Sequence, residues 1–338
     1  MGSGRLEISR GATITVPTDF VGSHFENALP VPAQAKHMHG FDMRPCRWRD
    51  INTSAGVYNW AGLDAAVAAY GGGPWTYNCW GTPTWASARP SEVHPYWLGC
   101  AAEPASMTSL SDFVTALVAR YTTLTHIEIW NEPDIPTSET YYWYSGSVAT
   151  FVAMASAIRT AAKAVRPAII IIGPGTVNYL SSPNWLDAAW SAGLDAHLDA
   201  VSMHAYQMQW GTPLKAFLGL MHSRHYMLHS RSKAGLGNAK DFYITEFGQI
   251  NPVARAVTED AIITGYRRAM VTAAALGYKY ACWYHYDGPT FGYTSRAKIV
   301  AAVAEMCTLL PGSTLTNVYL SLPEQTVCAT INGTNYEW

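Results

Sequence analysis

The chain has 338 residues, 14% of them charged, with a formal net charge of −2 and no basic run. That balance argues against nucleic acid or an anionic membrane surface as partner. Hydrophobic residues reach 49%, enough for a large core. No apolar run approaches the roughly 18 residues of a membrane span, so none is expected. The opening stretch MGSGRLEISRGATITV lacks the apolar core of a signal peptide.

Strand-like runs cover residues 20–24, 43–48, 75–80, 126–130, 168–173, 200–204, 242–246 and 280–284. Helical periodicity lies between them at 110–121, 148–166, 213–228, 260–276 and 296–310. Such alternation predicts an α/β fold, a (β/α)8 TIM barrel over residues 1–312. Residues 313–338, rich in Thr and Asn, read as a short C-terminal extension packing on the barrel. A doubly wound sheet would normally show a glycine-rich turn after an early strand, and YGGGPW at 70–75 precedes a strand instead. The connection 81–109 is too long to be a plain linker and carries Trp85, His94, Tyr96 and Trp97. After the third strand, it is expected at the catalytic face.

The six cysteines form no metal-like spacing. Cys46, Cys79 and Cys282 fall in apolar runs and read as buried thiols, whereas Cys307 and Cys328 are left open to pairing. None of His24, His94 and His204 belongs to a His-x-His pair, a spacing typical of metal ligands, so no metal or cofactor is expected. A metal-dependent hydrolase using His24, His94 and His204 is the disfavoured reading.

In barrels of this type chemistry sits at the C-terminal ends of the strands. The fourth run, THIEIWNEPD, ends in Asn131 and Glu132, and the seventh, FYITEFG, ends in Glu246. Two carboxylates flanking one substrate are the minimal equipment for cleaving a glycosidic bond. Other strand ends supply Trp80, His204, Tyr206 and Trp283, and the second run offers Arg44 or Arg47. Arg44 is preferred, although the spacing does not decide it. Glu128 reads as a helix-terminal charge or a surface ion-pair partner. Asn131 and Glu132 are adjacent, so both reach a substrate only if the strand ends or bulges there.

IEIWNEP and YITEFG together resemble the retaining clan A (β/α)8 glycoside hydrolases. WRDINTSAGVYNWAGLD, WGTPTWAS and DFVTALVARY are similar to stretches of family 39, with the resemblance running over about residues 20–310. That branch contains β-xylosidases and bacterial endo-glycosidases acting on exopolysaccharides. The resemblance implies that Glu132 is the acid/base and Glu246 the nucleophile. It implies that Asn131 meets the substrate 2-hydroxyl, supported by Arg44, Trp80, His204, Tyr206 and Trp283. The substrate is then an oligo- or polysaccharide, and an extracellular or periplasmic location follows from that class. Aromatic residues spread after several strands, among them Trp80, Trp85, Trp97, 141–144, Trp185 and Trp210, suggest an open groove and endo action. An exo-acting, xylosidase-like enzyme and a non-catalytic carbohydrate-binding protein are the alternatives.

Overall fold

A computed structural model describes residues 5–9, 11–24, 35–40, 45–177, 183–206, 213–237, 239–248, 258–284, 297–321, 324 and 326–338. The chain opens with short strands β1 (Arg5–Glu7) and β2 (Ile14–Thr15), then β3 (Val21–His24) and β4 (His37–His39). A short helix α1 (Trp48–Ile51) leads to the hairpin β5 (Asn52–Ser54) and β6 (Val57–Tyr58). The βα rhythm then runs α2 (Ala61–Tyr70), β7 (Trp75–Cys79), α3 (Met107–Arg120), β8 (Leu124–Ile129), α4 (Val148–Val165), β9 (Ile170–Thr176), α5 (Pro183–Ser191), β10 (Ala200–His204), α6 (Pro213–Lys233), β11 (Phe242–Phe247), α7 (Glu259–Ala275), β12 (Ala281–Trp283) and α8 (Ala297–Leu309). Three strands close the chain, β13 (Thr314–Ser321), β14 (Thr326–Ile331) and β15 (Thr334–Glu337).

Strand pairing follows a closed circuit, β10-β11-β12-β3-β4-β7-β8-β9, the (β/α)8 barrel expected from the alternation. The second barrel strand differs from expectation. Residues 45–47 form a turn and Trp48 begins a helix, while the strand is His37–His39. Pro45 lacks the N–H a ladder needs, and the buried Trp48 ring stacks on Phe113 of α3 at 5.6 Å. The stretch 43–48 mimicked a strand by composition alone.

By its internal contacts the chain divides into two units. One comprises Gly40–His204 and Tyr226–Asp241. In it β7, β8, β9 and β10 pair in parallel. Serine hydroxyls start the helices: Ser106 accepts from Thr108 N before α3, and Ser147 from Thr150 N before α4. Gly71, left-handed at φ 79, ends α2. Among the described residues, α4 alone is long and apolar enough to cross a membrane. It behaves as a core helix: Phe151, Met154 and Ile158 are buried, and Arg159 and Lys163 pair with Asp199.

The other unit comprises Met1–His39, Ala205–His225 and Phe242–Trp338. It holds β11, β12, β3 and β4 in parallel register. Gly22 lets β12 approach closely, because an added Cβ would lie 2.3 Å from Cys282 Sγ. The extension expected from residue 313 onward is not purely C-terminal. β13, β14 and β15 form an antiparallel sheet to which the N-terminal β1 and β2 add through β13. Arg268 of α7 ties this sheet down by donating from Nε to the Trp338 carbonyl at 2.8 Å. Cys307 and Cys328 are both free thiols, as are the other four cysteines.

Candidate active site

β8 is apolar where it packs, with Ile127 and Ile129 fully buried. Its end is set by backbone conformation. Trp130 takes φ 64 and Glu132 φ 41, a left-handed region that non-glycine residues seldom occupy. Each such residue costs on the order of 1–3 kcal/mol and persists only where its surroundings over-determine it. Here they do. Trp130 N donates to Cys79 O at 3.2 Å and Glu132 N to Gly175 O at 3.1 Å. Trp130 Nε1 donates to Trp143 O at 2.7 Å, and Asp134 Oδ1 accepts from Val177 N at 3.2 Å. The corner lets neighbours diverge. Asn131 turns toward β7, accepting from Asn78 Nδ2 at 3.3 Å. Glu132 turns toward β10, where its Oε1 lies 2.8 Å from His204 Nδ1.

His204 is completely buried. Behind it lies Glu128, also completely buried, which corrects the surface role read for it. β8 is an inner strand of the barrel, and Glu128 sits in register between Asn78 and Ile172.

The second carboxylate stands within a strand, where the pairing of β11 with β12 shifts register between Ile244 and Phe247. β11 is buried throughout, and Glu246 is 5% exposed. Tyr206 Oη donates to Glu246 Oε2 at 2.8 Å. His24 Nε2 lies 3.7 Å from Glu246 Oε1, and its ring packs on His39 and Tyr284 with centroids 5.2 and 4.7 Å away. Tyr206 also meets Tyr284 edge-on at 5.8 Å. Donor atoms of His24, His39 and Glu246 lie within 4.8 Å of one another.

Other expected residues are placed differently. Arg44 lies outside the described residues, as does Trp210. Arg47 is buried, with its guanidinium carbon 5.2 Å from the Trp97 ring centroid and Nε 3.8 Å from Asp50. Trp283 is only 2% exposed, wedged between Tyr266 and Phe247 at 4.9 and 5.5 Å. A sugar platform needs an open ring face, so Trp283 is core. Trp80 is likewise buried, against Trp97 and Trp143 at 5.5 and 4.9 Å. Trp185 meets Phe151 edge-on at 5.0 Å.

The 81–109 connection is firmly braced. Arg89 binds Glu92, Glu103 and Ser145. His94 Nε2 is 2.7 Å from the Tyr142 carbonyl, which removes it from the imagined ligand set.

Reasoning from sequence missed His39, Asn78 and Gly175, weighed His24 only as an imagined metal ligand, and gave Glu128 a surface role. The rule that located Glu132 would also have found His24, the last residue of the first strand. In chemical terms, one carboxyl shares a proton-bridging contact with an imidazole. The other is buried and accepts from a phenol.

Comparison with solved structures finds the same fold in several enzymes. One is a glucosidase from Croceicoccus marinus, with a TM-score of 0.64 and 14% identity over 95% of this chain and 76% of that one. Another is a GH39 β-xylosidase from Caulobacter crescentus, with a TM-score of 0.63 and 17% identity over 96% and 79%. A third is a GH30 endoxylanase from Clostridium papyrosolvens C71, with a TM-score of 0.56 and 12% identity over 95% and 80%. At these identities the likeness is one of fold. Comparison with curated protein sequences returns no match. The pattern of the glycosyl hydrolase catalytic core matches residues 55–273, more than half of the chain, so the chain belongs to that family and is a glycoside hydrolase.

Proposed function

We propose that this glycoside hydrolase is a retaining, endo-acting β-glycosidase that cleaves a polysaccharide by double displacement. The observation that carries the reading is the contrast in carboxylate partners, His204 Nδ1 for Glu132 and Tyr206 Oη for Glu246. In the first step Glu246 attacks the anomeric carbon while Glu132 protonates the departing glycosidic oxygen, which leaves as an alcohol. A glycosyl ester on Glu246 results. In the second step Glu132 takes a proton from water, the hydroxyl adds to the anomeric carbon, and the Glu246 carboxylate is released. The phenol hydrogen bond favours the ionised nucleophile. Retention requires the two carboxyl groups about 5–5.5 Å apart, too close for an intervening water.

Endo action draws on Trp85 and Tyr141, which are 39% and 60% exposed. Rings of this kind suit stacking on sugars. The exo reading draws on the burial of Trp80 and Trp97, which withdraws two of the platforms a groove would use. A polymer does not cross membranes, so we place the enzyme where its substrate is, outside the cytoplasm.

The test is a hydrolysis screen over aryl β-glycosides and polysaccharides, including bacterial exopolysaccharides. Proton NMR in the first minutes should show the β-anomer. Early α-anomer would exclude the covalent mechanism. Endo action predicts an early fall in viscosity and a ladder of oligosaccharides, whereas monosaccharide alone at unchanged viscosity would establish the exo alternative.

A further inference from the structure

Trp80, Trp97 and Trp283 are buried among other rings, whereas Trp85 is 39% exposed and meets no other aromatic ring among the described residues. Its indole is nevertheless held. Nε1 donates to the Asn52 carbonyl at 2.9 Å. Asn52 is itself buried, and its Nδ2 donates to Ser54 O at 2.7 Å and Val57 O at 3.1 Å. The ring therefore stands on a fixed edge.

Beside it lies a partly enclosed cavity of about 260 Å³, between the β5–β6 hairpin and the first turns of α3. Its walls carry Trp85, Tyr58, Ser109 and Asp112. Tyr58 stacks on Trp60 at 5.3 Å, so its contribution is the hydroxyl. Burial and the charge of Asp112 push that phenol above its ordinary value, and it keeps its hydrogen at neutral pH. The hydroxyls of Tyr58 and Ser109 and the carboxylate of Asp112 bind no group among the described residues. All four residues belong to one unit of the chain. Trp85 follows β7 and Glu132 follows β8, and these strands are parallel neighbours, so both leave the same end of the sheet.

We propose that this cavity is a second sugar site, which binds one neutral pyranose of the polysaccharide. The inference rests on the reading of the substrate as a polymer. The cavity falls below the roughly 300–1,000 Å³ of sites for larger ligands, so it suits a single ring. An indole face covers the apolar C–H face of a pyranose. Sugar hydroxyls donate to the carboxylate, which only accepts, while the Tyr58 and Ser109 hydroxyls can do either. A carboxylate in the wall repels uronate and sulfate groups, which selects a neutral ring. Such a site is weak alone. On a polymer already engaged for cleavage it acts at high effective concentration, so its effect grows with chain length. The ring comes from the chain being cut or from a second chain bound alongside.

The test is retention in native gels cast with xylan, hydroxyethylcellulose, galactomannan or polygalacturonate, using Glu246→Gln as a background that does not cut the polymer. At least one neutral polymer should retain the protein and polygalacturonate should not. Adding Trp85→Ala or Asp112→Ala should weaken that retention about tenfold. Asp112 is exposed and unengaged, so Asp112→Ala keeps the test valid if Trp85→Ala fails to fold. No retention by any neutral polymer, equal retention by polygalacturonate, or retention unchanged in Asp112→Ala would each overturn the proposal.

The active enzyme then separates the two sources. If Asp112→Ala costs about tenfold more in kcat/KM on a polymer than on the shortest oligosaccharide cleaved, one chain fills both sites. Weakened retention with equal kcat/KM on both substrates assigns the cavity to a second chain. If the enzyme retains a polymer through Asp112 yet hydrolyses only short glycosides, the polysaccharide reading of its activity falls and the sugar site stands.

Discussion

Glu132 and Glu246 end the fourth and seventh barrel strands, yet the chain presents them by opposite means. Glu132 rides on a left-handed backbone outside its strand, with 13% of its side chain exposed and an imidazole as partner. Glu246 sits inside its strand, with 7% of its side chain exposed and a phenol as partner. An imidazole nitrogen can give or take a proton near neutral pH. A phenol with its ordinary value near 10 only donates a hydrogen bond there. The acid/base role proposed for Glu132 and the nucleophile role proposed for Glu246 follow this contrast.

The most severe break of this contrast is removal of either carboxylate. Glu246→Gln should lose on the order of 10⁴-fold or more in kcat on every substrate, since no covalent intermediate can form. Glu132→Gln should lose about 10²–10⁴-fold with poor leaving groups and far less with activated ones. Near wild-type turnover of either variant on an alkyl glycoside would refute the assignment. Tyr206→Phe is gentler. A hydrogen bond to a charged acceptor contributes roughly 1.5–3 kcal/mol, so kcat/KM should fall about 10- to 100-fold. If the Tyr206 bond acts on the nucleophile alone, that loss will be independent of the leaving group, unlike the loss at Glu132.

The smallest effect is on stability. Burial pushes the His37 imidazole below its ordinary value, opposed by a hydrogen bond and the charge of Asp19. The unfolded chain therefore takes up this proton first as pH falls. Stability is full above about pH 6.5, the unfolded value, and declines below it. A hydrogen bond from Arg120 holds Asp64 below the ordinary carboxylate range. Its contribution is present above about pH 4 and is lost on further acidification. The thermal midpoint should drop from pH 7 to pH 5, less so in His37→Asn. A midpoint that rises over that interval would contradict the sign.

Much of this architecture can be read from residue order. The helix 148–165 announces itself by its apolar stripe and by Pro167 beyond it. Glu132 and Glu246 stand out because strand ends carry chemistry in this fold. What stays hidden has particular causes. β4 is three residues long, two of them histidine, and carries no hydrophobic period to detect. The left-handed turn at Trp130 is imposed by contacts with Cys79 and Trp143, and nothing local in a tryptophan signals it. Trp80 and Trp283 have the composition of sugar platforms, and only their neighbours show that their faces are taken.

The pairing of β1 with β13 joins Arg5 to Ser321 and Glu7 to Tyr319, with the Arg5 guanidinium carbon 3.8 Å from the Tyr319 ring centroid. During synthesis the first strand leaves the ribosome long before its partner exists. At about 5–20 residues per second, tens of seconds separate the two. Through that interval residues 5–7 wait as an unmatched strand, and pairing across such separation is slow for entropic reasons. The terminal sheet is therefore the last part of this unit able to assemble, and nascent chains stalled before residue 314 should be the ones that chaperones and proteases find.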